Sequence, residues 1–206
     1  MAEFVVPFDL YYKLRFARWD DVLALPAPDP ALATTAALWR FGRGAALAAT
    51  GKVAEALEEQ KAFVEAAGKV PPEAAMNLNS SKDLLAVAAA SLDARIAAAK
   101  GDRDAAIAAW RRAVAAEDLL AYDEPPAWYY PTRESLGGEL LRAGRAAEAE
   151  RVFRDDLQRN PNNGRSLFGL AEALRAQKKD ADAAKTEAQF KTAWARADIQ
   201  LSVAGL

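Results

Sequence analysis

The sequence predicts an all-α fold, a helical-repeat solenoid of about five helix-turn-helix pairs with an irregular first pair. Three observations predict it. Residues 137–161, GGELLRAGRAAEAERVFRDDLQRNP, place apolar or small side chains at Gly137, Leu140, Leu141, Ala149, Phe153 and Leu157, the three- and four-residue spacing that gathers one face of each of two helices. Gly144 permits the turn between them, and Pro161, which lacks an N–H and clashes with a preceding helical turn, stops the second. The same arrangement recurs along the chain, and 52% apolar content over 206 residues is ample for a continuous core.

The recurrence is measured from five anchors, each a small or β-branched residue five positions after a turn: Val22 after Ala17, Ala56 after Gly51, Ala106 after Gly101, Ala149 after Gly144, and Ala183 after Lys178. Successive anchors lie 34, 50, 43 and 34 residues apart, so the two inner intervals hold insertions, one at residues 68–83 (GKVPPEAAMNLNSSKD) and one at residues 122–130 (YDEPPAWYY).

Taken in order, the repeats fall near 8–26, 31–67, 73–120, 131–161 and 164–197, followed by a tail at 199–206, all within a single array over 1–198. The first pairs a helix from about Phe8 to Phe16 with a short one from Trp19 to Leu25, halted by Pro26, Pro28 and Pro30; a terminal unit is expected to deviate because one side lacks a neighbour. The second places Ala31 to Thr50 and Lys52 to Ala67 on two helices, with Gly44, Leu47 and Ala56 at the tight packing positions. The third opens on a long helix from about Pro72 or Glu73 to Lys100, so rich in Ala that helix is favoured and backbones approach closely, and closes on a helix from Asp102 to about Leu120. Asp123-Glu124-Pro125-Pro126 then breaks the chain. The fourth runs from about Pro131 to Ala143 and from Ala146 to Arg159, and the fifth from Gly164 to Gln177 and from Asp180 to about Ala197. The tail alternates Ile199, Leu201 and Val203 and reads as a strap along the last helix, in preference to a docking strand for a partner.

This pattern of Gly, large apolar residue, Ala, large apolar residue and terminal Pro resembles the tetratricopeptide repeat, whose period is about 34 residues. The wording WYYPTRESLG, LLRAGRAAEAE and NPNNGRSLFGLAEALRAQ, about the last 85 residues, is similar to the C-terminal region of larger bacterial proteins of that family whose role is unclear, which leads to the expectation of an upstream half outside this chain. The resemblance implies a right-handed superhelix in which the first helices of the repeats line a concave groove. Carrying the groove positions across from each anchor gives Tyr11, Leu14 and Arg15; Leu38, Phe41 and Ala45; Ser91, Arg95 and Ala98; Glu134, Leu141 and Arg142; and Arg165, Phe168, Glu172 and Arg175. The family's carboxylate clamp needs Asn and Lys at set positions, where this chain has Tyr11, Ala45, Arg95, Gly138 and Glu172, so the clamp is not matched. The mixture of arginines and aromatics instead suits an extended acidic or C-terminal peptide, since the guanidinium fork matches a carboxylate and stacks on rings. Singly, the same residues read as solvated charges and packing aromatics.

The least repeat-like stretch is the aromatic loop 122–134, with Trp128, Tyr129 and Tyr130. Aromatics with apolar bodies and polar tips make good anchors for a partner, and equally good covers for the seam an insertion opens. Other functions are disfavoured by composition. The 27 basic and 29 acidic residues nearly cancel, so there is no strong positive field for nucleic acid. With no Cys and no His, thiol and imidazole chemistry and zinc ligation are absent, and no acidic spacing follows a calcium loop, so no metal and no cofactor is expected. Carboxylate pairs for glycoside chemistry, Asp123 with Glu124 or Glu134 with Glu139, read more simply as solvated charges, and the chain is read as no enzyme. It has no signal-like leader and no span-length apolar run, which leaves cytoplasm and periplasm both open. The expected function is a protein-protein interaction scaffold holding a protein or peptide partner; the alternatives are self-association or docking within a larger protein, and a small-ligand pocket beside the aromatic loop.

Overall fold

The structure is a computed structural model and describes residues 3 and 5–206; Met1, Ala2 and Phe4, part of the first repeat's lead-in, lie outside the described residues. The described residues form ten α-helices and one minimal hairpin, and fall into two compact units, Met1–Tyr130 and Pro131–Leu206. The fold is the all-α helical repeat of the solenoid class that the sequence predicts.

In the first unit, α1 (Phe8–Arg15) and α2 (Trp19–Leu23) form the short opening pair, α3 (Ala33–Ala49) and α4 (Val53–Gly68) the second, and α5 (Ser81–Ala99) and α6 (Arg103–Glu117) the third. Within it α3 packs on both α4 and α5, and α5 on α6, so first helices neighbour first helices. In the second unit, α7 (Thr132–Arg142) pairs with α8 (Ala146–Arg159) and α9 (Gly164–Ala176) with α10 (Asp180–Ala193); α7 also meets α9.

All five turns are built alike, and the reason is visible in the backbone. Ala17, Gly51, Gly101, Gly144 and Lys178 all have positive φ, between 52° and 81°. The N–H of the next residue reaches back five positions to a carbonyl, Arg18 to Lys13, Lys52 to Leu47, Asp102 to Ala97, Arg145 to Leu140 and Lys179 to Leu174, at 2.8–3.0 Å. This is the Schellman closure, which satisfies carbonyls the helix end would leave bare. Each anchor then donates the first bond of the following helix, Val22 to Arg18, Ala56 to Lys52, Ala106 to Asp102, Ala149 to Arg145 and Ala183 to Lys179. The anchors sit where the two helices touch, from 0% to 4% exposed. The five-residue rule is therefore the length of one left-handed closure plus one helical turn.

Several helix bounds differ from expectation, α6 among them, which ends at Glu117 instead of near Leu120. The first helix of the third repeat starts at Ser81, not near Pro72, because residues 75–80 form a hairpin, Ala75 opposite Ser80 and Met76 opposite Asn79, with Asn77 left-handed at φ 57°. Ser80 Oγ then accepts the Asp83 N–H at 3.0 Å and caps the helix that follows. The α2 helix ends at Leu23, before the prolines, and α10 ends at Ala193, where the Trp194 N–H closes the last turn on Phe190.

The two insertions turn out to be one device. Asn79 in the hairpin exchanges two hydrogen bonds with the backbone of Ala121, its Nδ2 donating at 3.2 Å and its Oδ1 accepting at 2.7 Å. Asp123 is 6% exposed and accepts from Asn77 Nδ2 and from the Leu78 N–H. The first insertion thereby grips the second and sets the direction in which Trp128 and the tyrosines leave it.

Candidate functional site

In the first unit the expected groove residues and the aromatic loop meet. Tyr11 stacks on Tyr129 with ring centroids 4.8 Å apart and meets Trp128 edge-on at 5.9 Å. Trp128 lies 5.4 Å from Phe41, which is 0% exposed and supports the layer from beneath. Tyr130 is reached by Arg15, whose guanidinium sits over its ring, and by Arg95, whose Nη2 donates to its hydroxyl at 3.2 Å. Leu14, Leu38 and Ala45 are buried core, and Ser91, 0% exposed, lies one helical turn before Arg95. Trp128, Tyr129 and Tyr130 thus cover the faces of α1, α3 and α5.

Burial sets the electrostatics of this cluster. It pushes the hydroxyls of Tyr11 and Tyr129 far above the ordinary tyrosine range, so both are protonated donors. Burial also works against the charge on Arg95, but Tyr130 and Tyr129 outweigh it and the guanidinium stays a cation. Its other neighbour is the ring of Trp110 on α6, 5.6 Å away.

In the second unit the same face carries a different occupant, the chain's own tail. Arg142 Nη1 donates to the carbonyl of Val203 and Arg165 Nη1 to that of Gly205, both at 2.8 Å. Leu206 rests on Gly138, where a side chain would stand 2.7 Å from its Cβ. Trp194 Nε1 donates to the Ile199 carbonyl at 2.9 Å and turns the chain away from α10. The tail therefore crosses to α7 and ends in a 3-10 turn, Val203–Gly205, instead of lying along the last helix. Leu201, Val203 and Leu206 are half-buried on this path.

The remaining expected positions are placed as follows. Arg142 is held by Glu139 through Nε and Nη2 at 3.2 and 2.6 Å. Phe168 packs against Phe190 of α10 with centroids 5.7 Å apart, and Arg175 pairs with Glu172 and Glu187. Glu134 is 1% exposed and accepts from Asn163 Nδ2 at 2.9 Å. Sequence reasoning missed the network this belongs to: the same Asn163 Nδ2 donates to Asp156, which also accepts from Ser166 Oγ at 2.5 Å and Asn160 Nδ2 at 2.9 Å. Burial raises the Asp156 carboxyl above its usual range in spite of these bonds. The signal was present in Asn160-Pro161-Asn162-Asn163, where side-chain amides cap and close a turn, but it was read only for its proline.

The carboxylates weighed for catalysis are occupied structurally, Asp123 by the hairpin, Glu124 by the Tyr122 hydroxyl, Glu139 by Arg142 and Glu134 by Asn163. Among the described residues no cluster of three or more acidic, His or Cys side chains is arranged to hold a metal ion, and no helix is long and apolar enough to cross a membrane.

No family model matches the chain, and no curated protein matches it. Among solved structures it is similar to one described as the crystal structure of MamA protein, with a TM-score of 0.54 and 15% identity over 98% of this chain and 100% of that one. At that identity the likeness shows the fold alone, a tetratricopeptide-like helical repeat.

Proposed function

We propose that this protein is a non-catalytic scaffold that holds a short segment of a partner protein against the first-helix face of its second unit. The observation that carries the reading is the tail itself: its closing 3-10 turn is held there by Arg142 and Arg165 on the carbonyls of Val203 and Gly205 and by the side-chain-free surface of Gly138 under Leu206. Guanidinium donors directed at backbone carbonyls bind without demanding a particular side chain, while Gly138 selects a position where an apolar residue can lie flat. An acidic residue in the partner adds a charge pair to Arg142 or Arg165, the two arginines that hold the tail. The half-buried tail then acts as a resident occupant that a partner must displace.

The test is isothermal titration of a chain ending at Ala197 with a synthetic peptide of residues 198–206. The peptide is expected to bind the shortened chain, to bind the intact chain much more weakly because the site is filled, and to lose affinity when Arg142 and Arg165 are both replaced by Met. Equal affinity for both chains, or no binding to the shortened one, would reject the proposal. The same position on a second copy offers a route to self-association by tail exchange. That reading requires an intact chain whose mass in light scattering rises with concentration and a shortened chain whose mass does not.

A further inference from the structure

The first unit contains a second feature that the scaffold reading leaves unused. Four buried polar atoms in one neighbourhood have no protein partner: Tyr11 Oη, Ser91 Oγ, Arg95 Nε and Tyr129 Oη. Their proximity follows from the contacts around them. Tyr11 stacks on Tyr129, Tyr129 packs at 4.7 Å on Tyr130, Tyr130 accepts from Arg95, and Ser91 precedes Arg95 by one turn on α5. Tyr11 is 6% exposed and Ser91 0%. Native interiors pair nearly all such groups, so four unpaired donors on neighbouring side chains define a preference for an acceptor.

Charge makes the preference sharper. Among the described residues no carboxylate reaches Arg95, whose neighbours are the Tyr130 hydroxyl, Tyr129 and the Trp110 ring. Buried cations are ordinarily paired with anions. The Nε–H and Nη2 of a guanidinium form one edge of its planar fork, which matches the two oxygens of a carboxylate, and the three hydroxyls can donate to the lone pairs that remain. The surrounding rings of Tyr11, Trp128 and Tyr129 provide apolar walls.

We infer that this is a carboxylate-binding site, formed by Arg95 with the hydroxyls of Tyr11, Ser91 and Tyr129, suited to a monocarboxylate with a small apolar body. It lies wholly in the first unit and the tail-binding face in the second, so the two can fail separately.

The experiment observes the Arg95 Nε–H by nitrogen-15 NMR in the intact chain while sodium propionate is added, with sodium chloride at the same ionic strength as control. A parallel titration uses the capped peptide acetyl-Gly-Glu-Gly-amide. The signal is expected to shift saturably and its exchange with water to slow, and the double variant Ser91→Ala, Tyr129→Phe, which keeps size and removes two donors, is expected to weaken binding by about tenfold or more. Response to propionate alone identifies a free small acid as the source of the carboxylate. Response to the peptide alone identifies a partner's acidic side chain, and both support the site. A signal that neither probe moves, or that chloride moves equally, would overturn it, as would a double variant that responds like the wild type.

Discussion

Replacing Gly169 by Ala should destabilise the protein, and the same replacement should stabilise it once Phe153 has been removed. Phe153 is 0% exposed, and its ring is pinched between α7 and α9. A Cβ on Gly169 would stand 2.5 and 2.6 Å from its Cε atoms, and one on Gly137, from the other side, 2.5 and 2.7 Å. The ring has nowhere to retreat, so the strain should fall in the upper part of the roughly 1–3 kcal/mol that overpacking costs. Ala in place of Gly inside a helix returns about 1 kcal/mol, leaving a net loss of about 2 kcal/mol. Phe153→Ala alone should cost about 3–5 kcal/mol by opening a cavity. In that background the clash is gone and Gly169→Ala should contribute its helical gain of about 1 kcal/mol, a coupling of about 3 kcal/mol. Urea denaturation of the four proteins, followed by far-ultraviolet circular dichroism, measures it. If Gly169→Ala has the same sign in both backgrounds, the close packing of α7, α8 and α9 around this ring is refuted.

Other consequences are read by similar means. Gly101 is left-handed with open space around it, so Gly101→Ala should cost about 1 kcal/mol through backbone conformation alone, whereas Lys178→Gly, at the equivalent turn, should be neutral or stabilising; thermal melts compare the two. Asp123→Ala should cost about 1–3 kcal/mol and alter the near-ultraviolet dichroism of the Trp128 and tyrosine layer, because it removes the acceptor that fixes the loop to the hairpin. Glu150 is held down to about 2, first by Lys179 and then by Gln177 and Arg154. A depressed carboxyl stabilises the fold above its unfolded value near 4.3 and loses that contribution as pH falls toward 2. Discounted for solvent screening, the loss should be about 1 kcal/mol, and it should be absent from Glu150→Gln when the two stabilities are followed from pH 6 to pH 2.

The sequence revealed those features that are local to a few residues. The five turns were legible because a left-handed closure and the first bond of the next helix fit into a fixed five-residue interval, even where Ala17 and Lys178 stand in place of glycine. Both insertions were legible as excess length between anchors. What they do was not, because the bonds of Asn79 to Ala121 and of Asn77 to Asp123 join residues more than 40 apart, and no periodicity encodes such a pairing. The hairpin ahead of α5 was hidden by the Ala-rich run that follows it, which favours helix and drew the expected start too far back. Tyr11, Ser91 and Arg95 were singled out through the family resemblance, but not the aromatic layer packed against Tyr11 and Arg95. The tail's destination depends on Trp194 turning the chain and on two arginines receiving it, and apolar alternation alone gave no direction.

The claim that the first-helix face of the second unit is a docking surface is tested most directly by photo-cross-linking. A peptide of residues 198–206 carrying photoreactive leucine in place of Leu206 would be added to the chain ending at Ala197 and the cross-linked residues mapped by mass spectrometry. Attachment to α7 around Gly138, suppressed by Arg142→Met with Arg165→Met, is the predicted result. Attachment to α8 or α10, or attachment that ignores the two arginines, would contradict it.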